Sequence, residues 1–266
     1  MNFKMFRVTI LGCSSAVAYK GRYPSSQLIN VHEKLFLMDC GEGTQNRLAE
    51  HHVRTFRISH IFISHLHGDH VLGLPGLINS FALAGRTEPL HLYGPTGLDL
   101  YINSCLELTY SHTSFPIKFH ILDSEQSSVC YSDETVRVLH FPLKHRIPTI
   151  GYRFQEQLQQ NHSNHLDRSY CYASDNRVEI SQLPYIRNAN ALYHETTYLQ
   201  DLDEKAELTK HSTAAAVAQF AQKAEVQLLI TGHYSSRYED LNLILNECKQ
   251  YFDNTILGQE GLIVDL

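Results

Sequence analysis

Between Ile58 and His70 the chain runs from an apolar, strand-like stretch, ISHIFIS, directly into His65-Leu66-His67-Gly68-Asp69-His70. Three imidazoles and a carboxylate thus fall within six residues. A tight loop at the C-terminal end of a strand lets such side chains converge on one point, and imidazole with carboxylate is a donor set for first-row metal ions. One loop can hardly saturate two ions, so further ligands must come from elsewhere in the chain.

The rest of the composition sets the frame for that loop. With 266 residues, 43% hydrophobic content, 8 Pro and 14 Gly, the chain can bury a sizeable core and is expected to form a single domain over residues 1–266. MNFKMFRVTI at the start lacks the pattern of a secretory signal, and no apolar run approaches bilayer-spanning length, so a cytoplasmic protein with no membrane association is expected. The six cysteines are scattered without a CxxC pair, which fits reduced thiols. A formal net charge of -6 argues against general affinity for nucleic acid, so any RNA binding must be local.

Apolar and β-branched patterning predicts strands at Phe6–Gly12, Leu28–Val31, Lys34–Met38 and Ile58–Ser64, with a glycine-bearing loop at 39–45 and a helix from there to about His52. Helical spacing runs from Val71 to Ala84. Short β-rich runs occupy 117–143, and further strands are expected at 170–174 and 191–194. The last third alternates: helix 212–224, strand 227–231, helix 238–251, and a strand with a turn over 255–264. Strands and helices so distributed predict two mixed sheets packed face to face with helices outside, a four-layer αβ/βα sandwich. The polar stretch from Gln155 to Arg168 reads as a surface excursion.

HxHxDH after a hydrophobic strand resembles the signature of the metallo-β-lactamase superfamily. Five further motifs resemble its ribonuclease Z branch, in that family's order. They are Asp39-Cys40-Gly41-Glu42-Gly43-Thr44-Gln45, Gly151-Tyr152-Arg153-Phe154, His194-Glu195-Thr196-Thr197, His211-Ser212-Thr213-Ala214, and Gly232-His233-Tyr234-Ser235-Ser236-Arg237-Tyr238. The resemblance implies a zinc-dependent endoribonuclease that removes the 3′ trailer from precursor transfer RNA, as a homodimer with two zinc ions per chain. His65, His67 and His145 would hold one ion, Asp69, His70 and His233 the other, and Asp175 would bridge them. Asp69 would also accept the proton of the attacking water. His211, oriented by Glu195, would protonate the leaving ribose oxygen.

Two departures qualify the likeness. The family usually has Gly-Asp-Thr where this chain reads Ser174-Asp175-Asn176, and it carries a long Gly-Pro-rich arm for transfer RNA where this chain has only the short loop over 155–168. Small phosphodiesters or another RNA are therefore the alternative substrates, a thioester, lactone or β-lactam is less suited to His211 with Glu195, and an idle RNA-binding scaffold sits poorly with an intact ligand set. Glu42 and Gln45 could support the metal loop or simply build a turn; Ser235, Arg237 and Tyr238 could meet phosphate, with ion pairing or packing open for Arg237. The other histidines lack ligand spacing. The ligand set predicts about two metal ions per purified chain, measurable by plasma emission spectrometry; a metal-free chain is expected only of the idle scaffold.

Overall fold

The computed structural model describes residues 5–157 and 168–266. Of the excursion read at 155–168, residues 158–167 lie outside the described residues. The chain divides into two compact units, residues 1–123 with 259–265, and residues 124–258 with 266. Among the described residues, each unit holds one mixed seven-stranded sheet.

The first unit comprises β1 (Phe6–Gly12), β2 (Ser26–Val31), β3 (Lys34–Met38), α1 (Thr44–Glu50), β4 (Ile58–Phe62), α2 (Gly68–Val71), α3 (Leu74–Leu83), β5 (Leu90–Gly94), α4 (Leu98–Leu108), β6 (Ile117–Ile121) and, from the tail, β14 (Ile263–Asp265). Its sheet order is β14-β1-β2-β3-β4-β5-β6, antiparallel as far as β3 and parallel beyond. The period-2 alternation of the strands puts Leu35, Leu37, Ile61, Ile63, Leu90 and Leu92 into one apolar cluster with Leu74, Leu77, Ile78 and Phe81. Those four recur at i, i+3, i+4 and i+7, so α3 lays a single face on the sheet. Each such side chain contributes about 1.5–3 kcal/mol by leaving water.

The second unit comprises β7 (Ser128–Ser132), β8 (Val136–Pro142), β9 (Ile150–Glu156), β10 (Ser169–Ala173), α5 (Leu183–Ile186), β11 (Ala191–Glu195), α6 (Asp203–Thr209), α7 (Ala214–Lys223), β12 (Leu228–Gly232), α8 (Asn242–Lys249) and β13 (Thr255–Leu257). Its order is β13-β12-β11-β10-β9-β8-β7, parallel from β13 to β10 and antiparallel from there. Tyr152, Phe154, Tyr170, Tyr172 and Tyr193 are fully buried, with the Tyr172 and Tyr193 rings stacked at 5.2 Å. Helix α7 buries Ala214, Ala215, Val217, Ala218, Phe220 and Ala221, and Thr213 caps it by accepting from the Ala216 N–H at 3.3 Å.

Three differences from the sequence expectations have local causes. The helix expected over 71–84 is broken into α2 and α3. Gly73 stands at the break, where a Cβ would lie 2.2 Å from the Gly41 carbonyl oxygen, and Pro75 follows in the first turn of α3. The tail expected as one strand with a turn is two strands of different sheets, separated by Gly261 at φ 87°. Helix α8 is shorter than its apolar pattern, because Asp240 turns the chain by accepting from the Asn242 N–H at 2.9 Å. Helices α4 and α6 had no counterpart in the sequence reading. All six cysteines are free thiols, as their spacing implied. No helix among the described residues is long and apolar enough to cross a membrane.

Gly41 is packed as tightly as Gly73, since a Cβ there would fall 2.4 Å from the Asp69 carbonyl oxygen and 2.6 Å from the Pro24 Cβ. Gly41→Ala is expected to lower stability by about 1–3 kcal/mol in urea unfolding, through overpacking that backbone cannot yield to.

Candidate metal centre

In the first unit, β3 and β4 are parallel neighbours, so the residues following each strand emerge side by side. Asp39 follows β3 and the histidine loop follows β4. The buried Asp39 carboxylate accepts from the Ser64 N–H at 2.7 Å, from the Ser64 hydroxyl at 2.8 Å and from His70 Nδ1 at 2.7 Å. A carboxylate on Nδ1 leaves Nε2 as the basic, ligating nitrogen, the usual arrangement behind a metal-bound histidine. The Ser64 hydroxyl gives its one proton to Asp39, so it can only accept from His65 Nδ1, 3.0 Å away, and His65 likewise presents Nε2. That nitrogen lies 3.0 Å from His67 Nδ1. Asp69 is oriented by the Ala16 N–H at 2.8 Å, with its Oδ2 3.6 Å from His70 Nε2. The loop itself is pinned by Cys40 N–H to the His70 carbonyl (2.8 Å) and Gly73 N–H to the Cys40 carbonyl (2.9 Å).

In the second unit, His145, Asp175, Glu195 and His233 all lie at or just beyond the C-terminal ends of β8, β10, β11 and β12. One Asp175 oxygen is 3.0 Å from His233 Nε2 and the other 3.6 Å from His145 Nε2, so a single carboxylate faces two ring nitrogens. His145 donates Nδ1–H to the Lys210 carbonyl at 3.0 Å. The Thr197 hydroxyl has only pure acceptors for its proton, the Glu195 carboxylate or the His233 carbonyl, and therefore accepts from His233 Nδ1 at 3.0 Å. Both rings thus turn Nε2 toward Asp175. His211 stands beside them, with ligand atoms of Asp175, His211 and His233 all within 4.8 Å of one another. Its Nδ1 is held by both oxygens of Glu195, at 2.8 and 3.0 Å.

The electrostatics follow from this wiring. Burial lowers the pKa of His145 below that of an ordinary histidine, against the pull of Asp175, and so favours the neutral ring that a metal ligand needs. Burial works against the charged form of His211 as well, but the charge and hydrogen bond of Glu195, helped by Asp175, raise its pKa above the ordinary value. Glu195 has its own pKa lowered despite complete burial, because His211 outweighs the desolvation. Asp39, Asp175 and His233 each adopt a left-handed backbone at φ 54–55°, a conformation L-residues seldom take. Such strain concentrates where a side chain must be aimed.

The nine residues singled out in the sequence are therefore drawn together within their own units, His65, His67, Asp69 and His70 in one, His145, Asp175, Glu195, His211 and His233 in the other. Two supports escaped the sequence reading. Asp39, rather than Glu42 or Gln45, holds the histidine loop; Glu42 is exposed, and Gln45 bonds Ser80 at 2.7 Å. Its signal was an acid ending the strand before the glycine loop. Asn176 is the second: its side chain accepts from the Lys144 N–H (2.9 Å) and Gln182 (2.7 Å) and donates to Gln182 and His194 (both 3.0 Å). That network gives the Ser-Asp-Asn variant its reason, since Asn176 ties the His145 segment to the turn that carries Asp175. His194 is a core histidine with Nδ1 on the Glu195 carbonyl at 2.8 Å. Arg237 lies over the Tyr198 ring at 5.5 Å, and the Tyr238 hydroxyl accepts from the Leu199 N–H, so both have packing roles.

Asp39→Ala removes the acceptor behind His70. A fall in metal affinity of about 10–100-fold is expected by competitive chelator titration, while Glu42→Ala should leave affinity unchanged.

The chain is also similar to known proteins. Residues 6–252 match the family model described as "Anti-Pycsar protein Apyc1". Proteins named ribonuclease Z from Porphyromonas gingivalis W83 and Bacteroides fragilis ATCC 25285 are 35% and 36% identical, each over 301 residues covering 98% of this chain and 99% of theirs. The alignment is longer than the 266-residue chain, so these relatives carry sequence that it lacks. The crystal structure of human tRNase Z, short form, superposes with a TM-score of 0.80 at 29% identity, covering 97% of this chain and 98% of that one. The metallo-β-lactamase fold protein YhfI from Bacillus subtilis superposes with a TM-score of 0.81 at 17% identity over 99% of this chain and all of that one, which shows the fold. The chain has the metallo-β-lactamase fold, matches the Apyc1 model over most of its length, and belongs to the ribonuclease Z family of metal-dependent hydrolases.

Proposed function

We propose that this protein is an endoribonuclease that removes the 3′ trailer of precursor transfer RNA in the cytoplasm, acting as a homodimer with two zinc ions per chain. Ribonuclease Z relatives at full length support the reaction class. The observation that carries it is the His211–Glu195 pair, a proton donor wired beside Asp175 and His233. A phosphodiester needs such a donor because its leaving group is a ribose alkoxide.

The residues fit zinc. Histidine nitrogens and carboxylates are its ordinary donors, and His65, His70, His145 and His233 are each fixed through Nδ1 with Nε2 left basic. His65, His67 and His145 would hold one ion, Asp69, His70 and His233 the other, and Asp175 would be shared. Bound zinc supplies hydroxide near neutral pH and neutralises phosphoryl oxygens.

The chain's own groups do the rest. Asp69, held by the Ala16 N–H, accepts the proton of the attacking water. His211 donates its Nε2 proton to the departing 3′ oxygen, leaving a 3′-hydroxyl on the transfer RNA. Glu195 fixes the tautomer and stabilises the imidazolium before the transfer. The pKa of His211, raised above the ordinary histidine value by the charge and hydrogen bond of Glu195 against the effect of burial, favours the protonated ring that this step needs. The length difference from the curated relatives favours one alternative, hydrolysis of small phosphodiesters or another RNA by the same groups.

The deciding experiment is cleavage of a precursor transfer RNA with a 3′ trailer, mapped to the nucleotide. A single cut after the discriminator base is expected; no cut, with a small chromogenic phosphodiester still hydrolysed, overturns the substrate assignment. His211→Ala should keep its metal and lose about 10²–10⁴-fold in kcat. His67→Ala and His233→Ala should lose metal and activity together.

A further inference from the structure

The second unit holds a cavity of about 440 Å³ lined by Arg137, Leu139, Arg153, Gln155, Tyr185 and Arg187 among others; among the described residues its wall includes neither an acidic side chain nor a candidate metal ligand. In a chain of net charge -6, three guanidinium groups around one cavity are a local exception. Strand register explains how they meet. Arg137 pairs with Gln155 and Leu139 with Arg153 across β8 and β9, and the alternation turns all four to the face opposite the core residues Val138, Tyr152 and Phe154.

Arg153 is built into the wall. It donates to the Tyr185 and Arg187 carbonyls at 3.0 and 2.9 Å and to the Ser169 hydroxyl at 3.0 Å, so it fixes α5 and its C-terminal turn to the sheet. The Tyr185 ring stacks on Phe141 at 5.3 Å and 12°. Phe141 in turn needs Gly151, where a Cβ would fall 2.4 Å from its ring. The Gly151-Tyr152-Arg153-Phe154 motif, which the metal centre leaves unused, therefore shapes this cavity. Among the described residues, Arg187 shares its charge with Glu225 at 3.2 Å, whereas Arg137 and Arg153 have no carboxylate partner.

A guanidinium group without a carboxylate partner, Arg137, set with Arg187 beside an aromatic ring is what a nucleotide unit of single-stranded nucleic acid recognises, phosphate on arginine and base against the ring. The geometry points to this cavity as an RNA subsite that grips one nucleotide of the substrate through Arg137, Arg187 and Tyr185, remote from the bond that is cut. The inference rests on the reading that the substrate is RNA.

The test compares the zinc-loaded wild type with R137E/R187E and with Tyr185→Leu, following precursor transfer RNA cleavage, filter binding of the same RNA across a salt series, and hydrolysis of bis(p-nitrophenyl) phosphate. R137E/R187E should raise KM and Kd for the RNA about ten-fold or more and flatten the salt dependence by about one phosphate contact. Its kcat and its small-substrate hydrolysis should stay within two-fold, roughly. Tyr185→Leu should weaken RNA binding with the salt slope unchanged, since stacking releases no counterions. Unchanged RNA affinity and slope in R137E/R187E, with the small substrate still hydrolysed, overturn the subsite. Should R137E/R187E fail to hydrolyse the small substrate, R137Q/R187Q replaces it under the same criteria. If the wild type does not cut the precursor, the cleavage reading fails, and filter binding alone still decides the subsite.

Discussion

The Asp39 carboxylate is the interaction on which the first unit's site depends. It sits at the end of β3 with no solvent exposure and takes hydrogen bonds from the Ser64 backbone, the Ser64 hydroxyl and His70. A buried carboxylate is costly unless its acceptor sites are filled, and here Ser64 and His70, which bracket the histidine loop, supply three of the donors. Stabilising the charge and aiming the imidazoles are thus one act. The left-handed backbone of Asp39 and the tight approach of Gly41 to Asp69 are the local costs of that placement.

Glu195 plays the matching part in the second unit. Fully buried, it accepts from His211, from the Thr197 hydroxyl and from the Asn176 and Ser212 backbone amides. Through Thr197 it sets the tautomer of His233, and through the Asn176 amide it holds the turn that carries Asp175. One carboxylate therefore orders a candidate proton donor and two candidate ligands, so chemical roles that differ share a single network. Groups wired in this way gain position from packing that a substrate need not provide.

Outside the candidate metal ligands, the charge distribution has a second message. The chain is acidic overall, yet β8, β9 and the turn after α5 bring three arginines around one cavity. Affinity for a polyanion can then reside in a subsite, with steering and grip separated from hydrolysis.

The sequence by itself determined the strand-loop-HxHxDH element, the order of the five further motifs, the strands Phe6–Gly12 and Lys34–Met38 to the residue, and the nine candidate site residues, because hydrophobic period and short-range spacing are local quantities. Only the tertiary structure decided that Asp39 rather than Glu42 supports the histidine loop, that Asn176 makes a Ser-Asp-Asn turn serviceable, that the helix after the loop breaks at Gly73, and that 255–264 supplies strands to two sheets. Each depends on a partner far away in the chain: Asp39 on Ser64 and His70, Asn176 on Lys144 and His194, Gly73 on Gly41, and β14 on β1. Arg137, Arg153 and Arg187 are likewise unrelated until strand register and α5 bring them to one face. A side chain's chemistry can be read from its type, but its role is set by what folding places within hydrogen-bond reach of it.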